Sequence, residues 1–200
     1  MSDRADLTRE RILDAAQKLF LEKGFDGTSM SALGNAAGVN QSLISHHFGN
    51  KQKLYDTTFS RLHDQYFQMQ AERMEPKGQN GHGIELFEDS VKAWLSFLSE
   101  HPDATRLEAW NWLSGHDAAH PMIRTVIETG FERLKLGQKV GILRDDVPAK
   151  LIWALFISIG YGWEIVKETN SEVLGDDVND DLFSKTALDI LLDGVRGPNG

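Results

Sequence analysis

The stretch from Gly24 to Tyr55, GFDGTSMSALGNAAGVNQSLISHHFGNKQKLY, constrains the fold of this chain more than any other. It holds two segments of about eight residues with helical spacing, Met30 to Ala37 and Gln41 to His47, separated by Gly38-Val39. Ser29 and Asn40 stand where N-caps belong, and Gly38 stands where a left-handed turn residue must follow a helix. The turn between them is too tight for a residue with a side chain at the left-handed position. Met30, Leu33, Ala37, Ile44 and Phe48 are expected to face the core.

The rest of the chain also reads as helix. Thr8 to Lys23 puts Ile12, Ala15, Ala16, Leu19 and Phe20 on one face, and Gly24 closes it with Phe25 able to fold back on the last turn. Asn50 caps a long helix from Lys51 to about Met74, whose apolar run is Leu54, Tyr55, Phe59, Leu62, Tyr66 and Met69. Pro76 to Gly83 is a linker, with three Gly and one Pro in eight residues. Beyond it, Ile84, Phe87, Val91, Trp94, Leu95 and Leu98 form a stripe that stops at His101-Pro102. Further helices are predicted at Asp103–Ser114, Pro121–Gln138, Pro148–Glu168 and Asp181–Val195, with a turn at Gly141–Val147 and a frayed end from Gly197. No strand pattern occurs, so the fold class is all-α: a three-helix head over residues 1–56 and a helical bundle over 57–200.

Composition narrows the function. The chain has no Cys, which fits a reducing compartment and removes thiolate metal sites. The N-terminus lacks the apolar run of a signal peptide, and Leu151 to Val166 is too short and interrupted to predict a membrane span. A cytoplasmic location is expected, with no membrane partner. The net charge of -9 argues against nucleic acid at first sight. Residues 1–56, however, hold seven Lys/Arg and seven Asp/Glu, so the whole excess lies in 57–200, with 14 against 23. A neutral head can approach DNA where the acidic body is repelled. The second short helix also opens with Gln41, Ser42 and Ser45, amide and hydroxyl groups of the kind that read base edges in the major groove. The positive end of its dipole favours phosphate.

These residues resemble the DNA-binding head of the TetR/AcrR family of one-component regulators. The matching elements are Gly24-Phe25, Thr28-Ser29, Ala36-Ala37-Gly38-Val39, Ile44-Ser45-His46-His47-Phe48 and Lys51, in register across about a quarter of the chain. The resemblance implies a helix-turn-helix that binds a double-stranded operator as a homodimer, by default as a repressor responsive to a small-molecule effector. It places Thr28 and Ser29 beside the DNA backbone, Gln41, Ser42 and Leu43 at the bases, and Lys51 on a phosphate. Leu43 can touch a thymine methyl or fill the edge of the core. Two positions depart from the family pattern. Ser45 replaces a usual Tyr, so His46 is expected to take over part of its phosphate contact. Ala32 replaces an acid, leaving the Ser29 cap single-sided and about 1 kcal/mol weaker.

All five Trp lie beyond residue 90. Trp94, Phe97, Trp110, Trp112, Phe131, Phe156 and Tyr161 are either an ordinary aromatic core or the lining of a pocket for an apolar or aromatic effector. The helix from Leu151 to Val166 is apolar nearly all round, with Ala154, Ser158, Gly160 and Gly162 small enough for close approach. Together with Phe183, Ala187, Ile190 and Leu191 it is expected to form a four-helix interface between two protomers. Enzymatic readings find little support. His116 and His120 have metal-like spacing near Ser114, but Pro121 interrupts the helix and no third ligand is spaced for them. There is no Gly-x-Ser-x-Gly elbow, phosphate-binding glycine loop or His-Glu-x-x-His. No metal and no cofactor is expected. A non-specific architectural DNA binder is disfavoured by the acidic body.

Overall fold

A computed structural model describes residues 2–74, 84–114, 121–175 and 177–200. The linker at Pro76–Gly83 and the His116–His120 pair lie outside these residues. The helices are α1 (Ser2–Lys23), α2 (Met30–Ala37), α3 (Gln41–Phe48), α4 (Lys51–Met74), α5 (Ile84–Glu100), α6 (Pro102–Ser114), α7 (Pro121–Lys139), α8 (Ala149–Leu174) and α9 (Asp180–Val195). Among the described residues there is no strand, only an isolated antiparallel bridge between Leu143 and Arg196. The all-α class follows directly.

Two compact units emerge. The first comprises the described residues of Met1–Asp64 and Asp103–Ala118, and the second those of Gln65–Pro102 and Ala119–Gly200. The first unit therefore contains α6, some forty residues further along the chain than the last turn of α4 it includes. Its core is Ile12, Leu13, Ala16 and Phe20 of α1, Leu33 and Ala37 of α2, Ile44 and Phe48 of α3, Leu54, Tyr55 and Phe59 of α4, and Ala104 and Leu107 of α6. Phe20 meets Tyr55 edge-on at 4.9 Å between ring centroids, and Phe25 folds back to stack beside Phe20 at 6.3 Å.

The ends of the short helices are satisfied as their sequences require. Ser29 Oγ accepts from Ala32 N at 3.1 Å, Asn40 Oδ1 from Leu43 N at 2.8 Å and Asn50 Oδ1 from Lys53 N at 2.8 Å. Gly38 takes the left-handed conformation, with φ 62° and ψ 38°. A Cβ there would meet nothing, so backbone conformation alone selects glycine. The steric limit of the turn lies at Gly34 instead, where a Cβ would stand 2.8 Å from the Val39 carbonyl oxygen.

In the second unit α8 packs on α5 and α7, and α9 packs on α5 and α8. Gly160 brings α8 against α5, since a Cβ there would lie 2.8 Å from Leu98 and 3.0 Å from the Trp94 indole nitrogen. Asp180, at the start of α9, accepts from Trp163 Nε1 of α8 at 2.7 Å and from Ser99 Oγ of α5 at 2.9 Å, and pairs with Lys167 of α8 at 3.0 Å. Burial opposes its charge, but those donors outweigh it and hold the carboxyl below its ordinary range. The C-terminus is tied down rather than frayed: Gly197 N donates to Ile142 O and Asn199 N to Gly141 O, each at 2.8 Å. Ala149–Asn170 of α8, with mean hydropathy 1.3, is long and apolar enough by length and composition alone to cross a membrane, a test that a bundle's core helix also passes. Within the unit it is a packed bundle helix.

Gly34→Ala should cost about 1–3 kcal/mol through the clash with Val39, and Gly38→Ala about 1–2 kcal/mol through backbone strain alone. Urea unfolding of the two variants checks this, and a neutral Gly34→Ala would contradict the close approach.

Candidate nucleic-acid interface

The helix α3 has two unlike sides. Ile44 and Phe48 are buried in the head, with the Arg9 guanidinium 5.2 Å from the centre of the Phe48 ring. Gln41, Ser42, Ser45 and His46 are exposed, and Leu43 and His47 are half-buried. Leu43 thus keeps both of its expected options, part core edge and part surface. Ser29 is exposed at the start of α2, where its hydroxyl is occupied in the cap. From Gly27 to Asn50 the sequence has no Lys, Arg, Asp or Glu. The surface that could enter a groove is therefore neutral and hydrogen-bonding, with His46 and His47 as its ionisable groups.

Two residues expected at the DNA backbone have structural work inside the head. Thr28 is 1% exposed, and its hydroxyl donates to Gly24 O at 2.8 Å. Its side chain closes the end of α1 and cannot reach a phosphate. Lys51 Nζ donates to Phe25 O at 2.9 Å and Thr28 O at 3.0 Å, and lies 4.0 Å from the centre of the Phe25 ring. The ammonium pins the start of α4 to the α1–α2 loop, using two of its three N–H donors on carbonyls. The family-derived phosphate role gave no hint of this, because the partners are main-chain atoms 23 and 26 residues upstream.

A part of the head that sequence reasoning missed is α6. Arg106 Nε and Trp110 Nε1, one turn apart, both donate to Leu21 O, at 2.8 and 3.0 Å. That carbonyl lies in the last turns of α1, where helix carbonyls begin to lose their internal partners. Gly24, with φ 67°, presents its bare Cα to the Trp110 ring, and a Cβ there would lie 2.9 Å from it. Asn111 accepts from Tyr55 Oη at 2.6 Å, and Asp103 accepts from Gln17 at 3.2 Å. Burial, then the charge of Glu108, pushes the Tyr55 phenol above its ordinary value, so it remains a donor at neutral pH.

The aromatic residues named as pocket candidates divide between the units. Trp94, Phe97, Phe156 and Tyr161 are buried together in the second, with Trp94 5.1 Å from Tyr161, 6.0 Å from Phe97 and 6.4 Å from Phe156. Phe131 is half-buried and meets Trp153 edge-on at 5.7 Å. Trp110 and Trp112 belong to the first unit, Trp110 against α1 and Trp112 at 51% exposure near the end of α6. The structure therefore gathers four of the seven into one buried cluster, reaches Phe131 through Trp153, which meets Phe156 at 6.0 Å, and separates the other two.

A capped pair of short helices crossing at a glycine turn, with a polar exposed face on the second, defines a helix-turn-helix DNA-binding protein. Residues 12–58 match the family described as bacterial regulatory proteins, tetR family, and residues 88–186 match the tetracyclin repressor-like C-terminal domain. The chain belongs to the TetR family of transcriptional regulators and is not an enzyme. It is 24% identical to the HTH-type transcriptional repressor NicS of Pseudomonas putida, covering 98% of this chain and 95% of that one. It is 27% identical to the HTH-type transcriptional repressor AcnR of Corynebacterium diphtheriae over 73% of each chain. The ketosteroid transcriptional regulator KstR2 of Mycobacterium tuberculosis shares the fold, with a TM-score of 0.67 at 16% identity over 94% of each chain.

Lys51→Met should lower head stability by about 2 kcal/mol through the loss of two charge-assisted hydrogen bonds. The slope of log affinity against log salt should change by much less than the one unit per half-site of a lost phosphate contact. Thermal unfolding and DNA titrations at three salt concentrations separate the two roles.

Proposed function

We propose that this protein is a ligand-responsive transcriptional repressor that acts in the cytoplasm as a homodimer on a palindromic operator. The reading rests above all on α3, whose buried side is fixed in the head while Gln41, Ser42, Ser45 and His46 stand free to meet a major groove. Gln41 is the bidentate base reader, since its amide offers both a donor and an acceptor. Ser42 supplies a further base contact, and Leu43 a thymine methyl contact. Ser29, Ser45 and His46 position the helix along the backbone. One such helix covers too few base pairs for genomic selectivity, so a two-fold pair reading half-sites about 34–36 Å apart, or a multiple of that, is needed.

Two helices of the second unit support the pairing. Along α8, Leu151, Leu155, Ser158 and Ile165 follow one face and remain exposed, with Leu155 at 58%. On α9, Leu182 and Ile190 are exposed, Ile190 at 65%. These residues are the proposed four-helix interface. Gly160, Ala187 and Leu191 face the protomer's own interior, and Phe183 stacks on Trp163 at 4.3 Å, so the interface differs from that expected from sequence. The cluster of Trp94, Phe97, Phe131, Phe156 and Tyr161 is the proposed wall of a site for a small apolar or aromatic effector. The covalent link from such a site to α3 is α4, which is separated from the end of α3 by two residues.

Leu155→Glu with Ile190→Asp should yield a monomer by light scattering at micromolar concentration, with operator affinity reduced at least about tenfold. Gln41→Ala should relax preference at one operator position and cost about 1–3 kcal/mol per half-site. A uniform loss across all sequences would remove Gln41 from base reading. Effector binding should change Trp fluorescence and lower operator affinity together.

A further inference from the structure

The first unit buries an acid–imidazole pair that the DNA-reading surface does not use. His63 of α4 is 1% exposed and Glu108 of α6 is 5% exposed, and His63 Nε2 lies 3.6 Å from Glu108 Oε1. On its other side, His63 Nδ1 lies 2.9 Å from Phe59 O, and the ring stacks on Phe59 at 4.0 Å. A carbonyl oxygen can only accept, so Nδ1 carries a hydrogen in either charge state. The Nε2 edge therefore presents either a lone pair or a second N–H to the carboxyl.

This geometry determines the proton count. With no proton between them, a buried carboxylate would face an imidazole lone pair in a site closed to water. With two protons, a buried imidazolium would face a neutral acid. With one proton, the pair is either imidazolium–carboxylate or imidazole–carboxylic acid, and its net charge is zero in both forms. We propose that His63 and Glu108 hold a single proton between them, that this buried proton latches α6 to α4, and that head packing and operator binding therefore weaken as pH rises past neutrality. The operator half of this proposal rests on the DNA-binding role of α3, which α4 directly follows.

Among the described residues of α4 and α6, the other ionisable groups are engaged elsewhere or exposed. The Tyr55 phenol bonds Asn111. Asp56 accepts from Gln52, and Asp103 accepts from Gln17. Arg61 pairs with Asp14 and Glu10 of α1, and Arg106 bonds Leu21 O. Asp64 is exposed.

The sign follows from linkage. Burial pushes the Glu108 carboxyl up to about 7, and the pair as a whole releases its proton at or above that value, because the imidazolium form adds to the protonated population. Unfolded His titrates near 6.5 and unfolded Glu near 4.3. Between about 4.3 and 6.5 both states hold one proton, and stability from this source is level. Above about 6.5 the folded pair holds more protons than the unfolded chain, so stability falls as pH rises through 7 and beyond.

The test compares full-length protein with Glu108→Gln from pH 5.5 to 8.5. The wild-type folding constant should fall relative to the variant as pH rises through 7 to 8.5. Parallel pH curves would overturn the latch. If Glu108→Gln does not fold, nitrogen and carbonyl NMR of the wild type decides: Nδ1 should stay protonated throughout, with Nε2 and the Glu108 carboxyl titrating in one shared step. Separate steps, or loss of the Nδ1 hydrogen, would refute it. For the operator half, the probe is a duplex selected from a random pool by the wild type at pH 6. Its affinity should drop with the folding constant in wild type and not in Glu108→Gln, while equal pH dependence in both would remove the regulatory role. Failure to select any duplex would instead refute the DNA-binding reading and leave the latch to the unfolding and NMR arms.

Discussion

Helices of eight residues do not hold themselves together in water, because the cost of nucleation exceeds what so few internal hydrogen bonds return. α2 and α3 are both of this length, and everything the head presents to DNA depends on how they are held from outside. Ser29 and Asn40 satisfy amide groups at their N-termini, and Gly38 turns the chain back in a conformation that other residues resist. Gly34 allows the Val39 carbonyl to approach where a methyl group would stand. Behind these local devices, Leu33, Ile44 and Phe48 anchor the pair in the apolar interior of the head. The polar face of α3 is a consequence of that anchoring.

The same constraint explains why the head recruits groups that tie its own backbone together. Lys51 spends its charge on the carbonyls of Phe25 and Thr28, fixing where α4 begins and so where α3 must end. Thr28 closes the α1 terminus from the inside. α6 covers the carbonyl of Leu21 with two donors and seats an indole on Gly24. With no formal charge between Gly27 and Asn50, the reading surface relies on hydrogen bonds and helix dipoles. Such groups act only at short range, and misplacement of a fraction of an ångström matters more to them than to a basic patch. A rigid scaffold is the physical counterpart of a neutral reading face.

In the second unit, α8 is divided by its neighbours. Ile152, Phe156, Gly160 and Tyr161 turn inward onto α5, α7 and α9, while Leu151, Leu155 and Ile165 remain outside. That outer row is the one proposed to meet a second protomer. Asp180 fixes the junction of α5, α8 and α9 through donors from Ser99, Trp163 and Lys167, which keeps the outer faces of α8 and α9 in a defined relation.

The sequence by itself determined the helices and the reading motif. Periodicity and capping residues placed α2, α3 and α4 within a residue or two, because these signals act between groups three or four positions apart and need no distant partner. The single-sided Ser29 cap was legible for the same reason, as were the five registered elements of the family pattern. Only the tertiary structure decided which side of an all-apolar helix is inner. Gly160, one of four small residues on α8 with similar sequence credentials, turns inward because Trp94 and Leu98 lie opposite it. It also decided that Lys51 is a tie, that Trp110 belongs with α1, and that His63 meets Glu108 across 45 residues of chain. Each of these depends on a partner that is remote in sequence, and often on a main-chain carbonyl, which every residue carries and no side-chain pattern can mark.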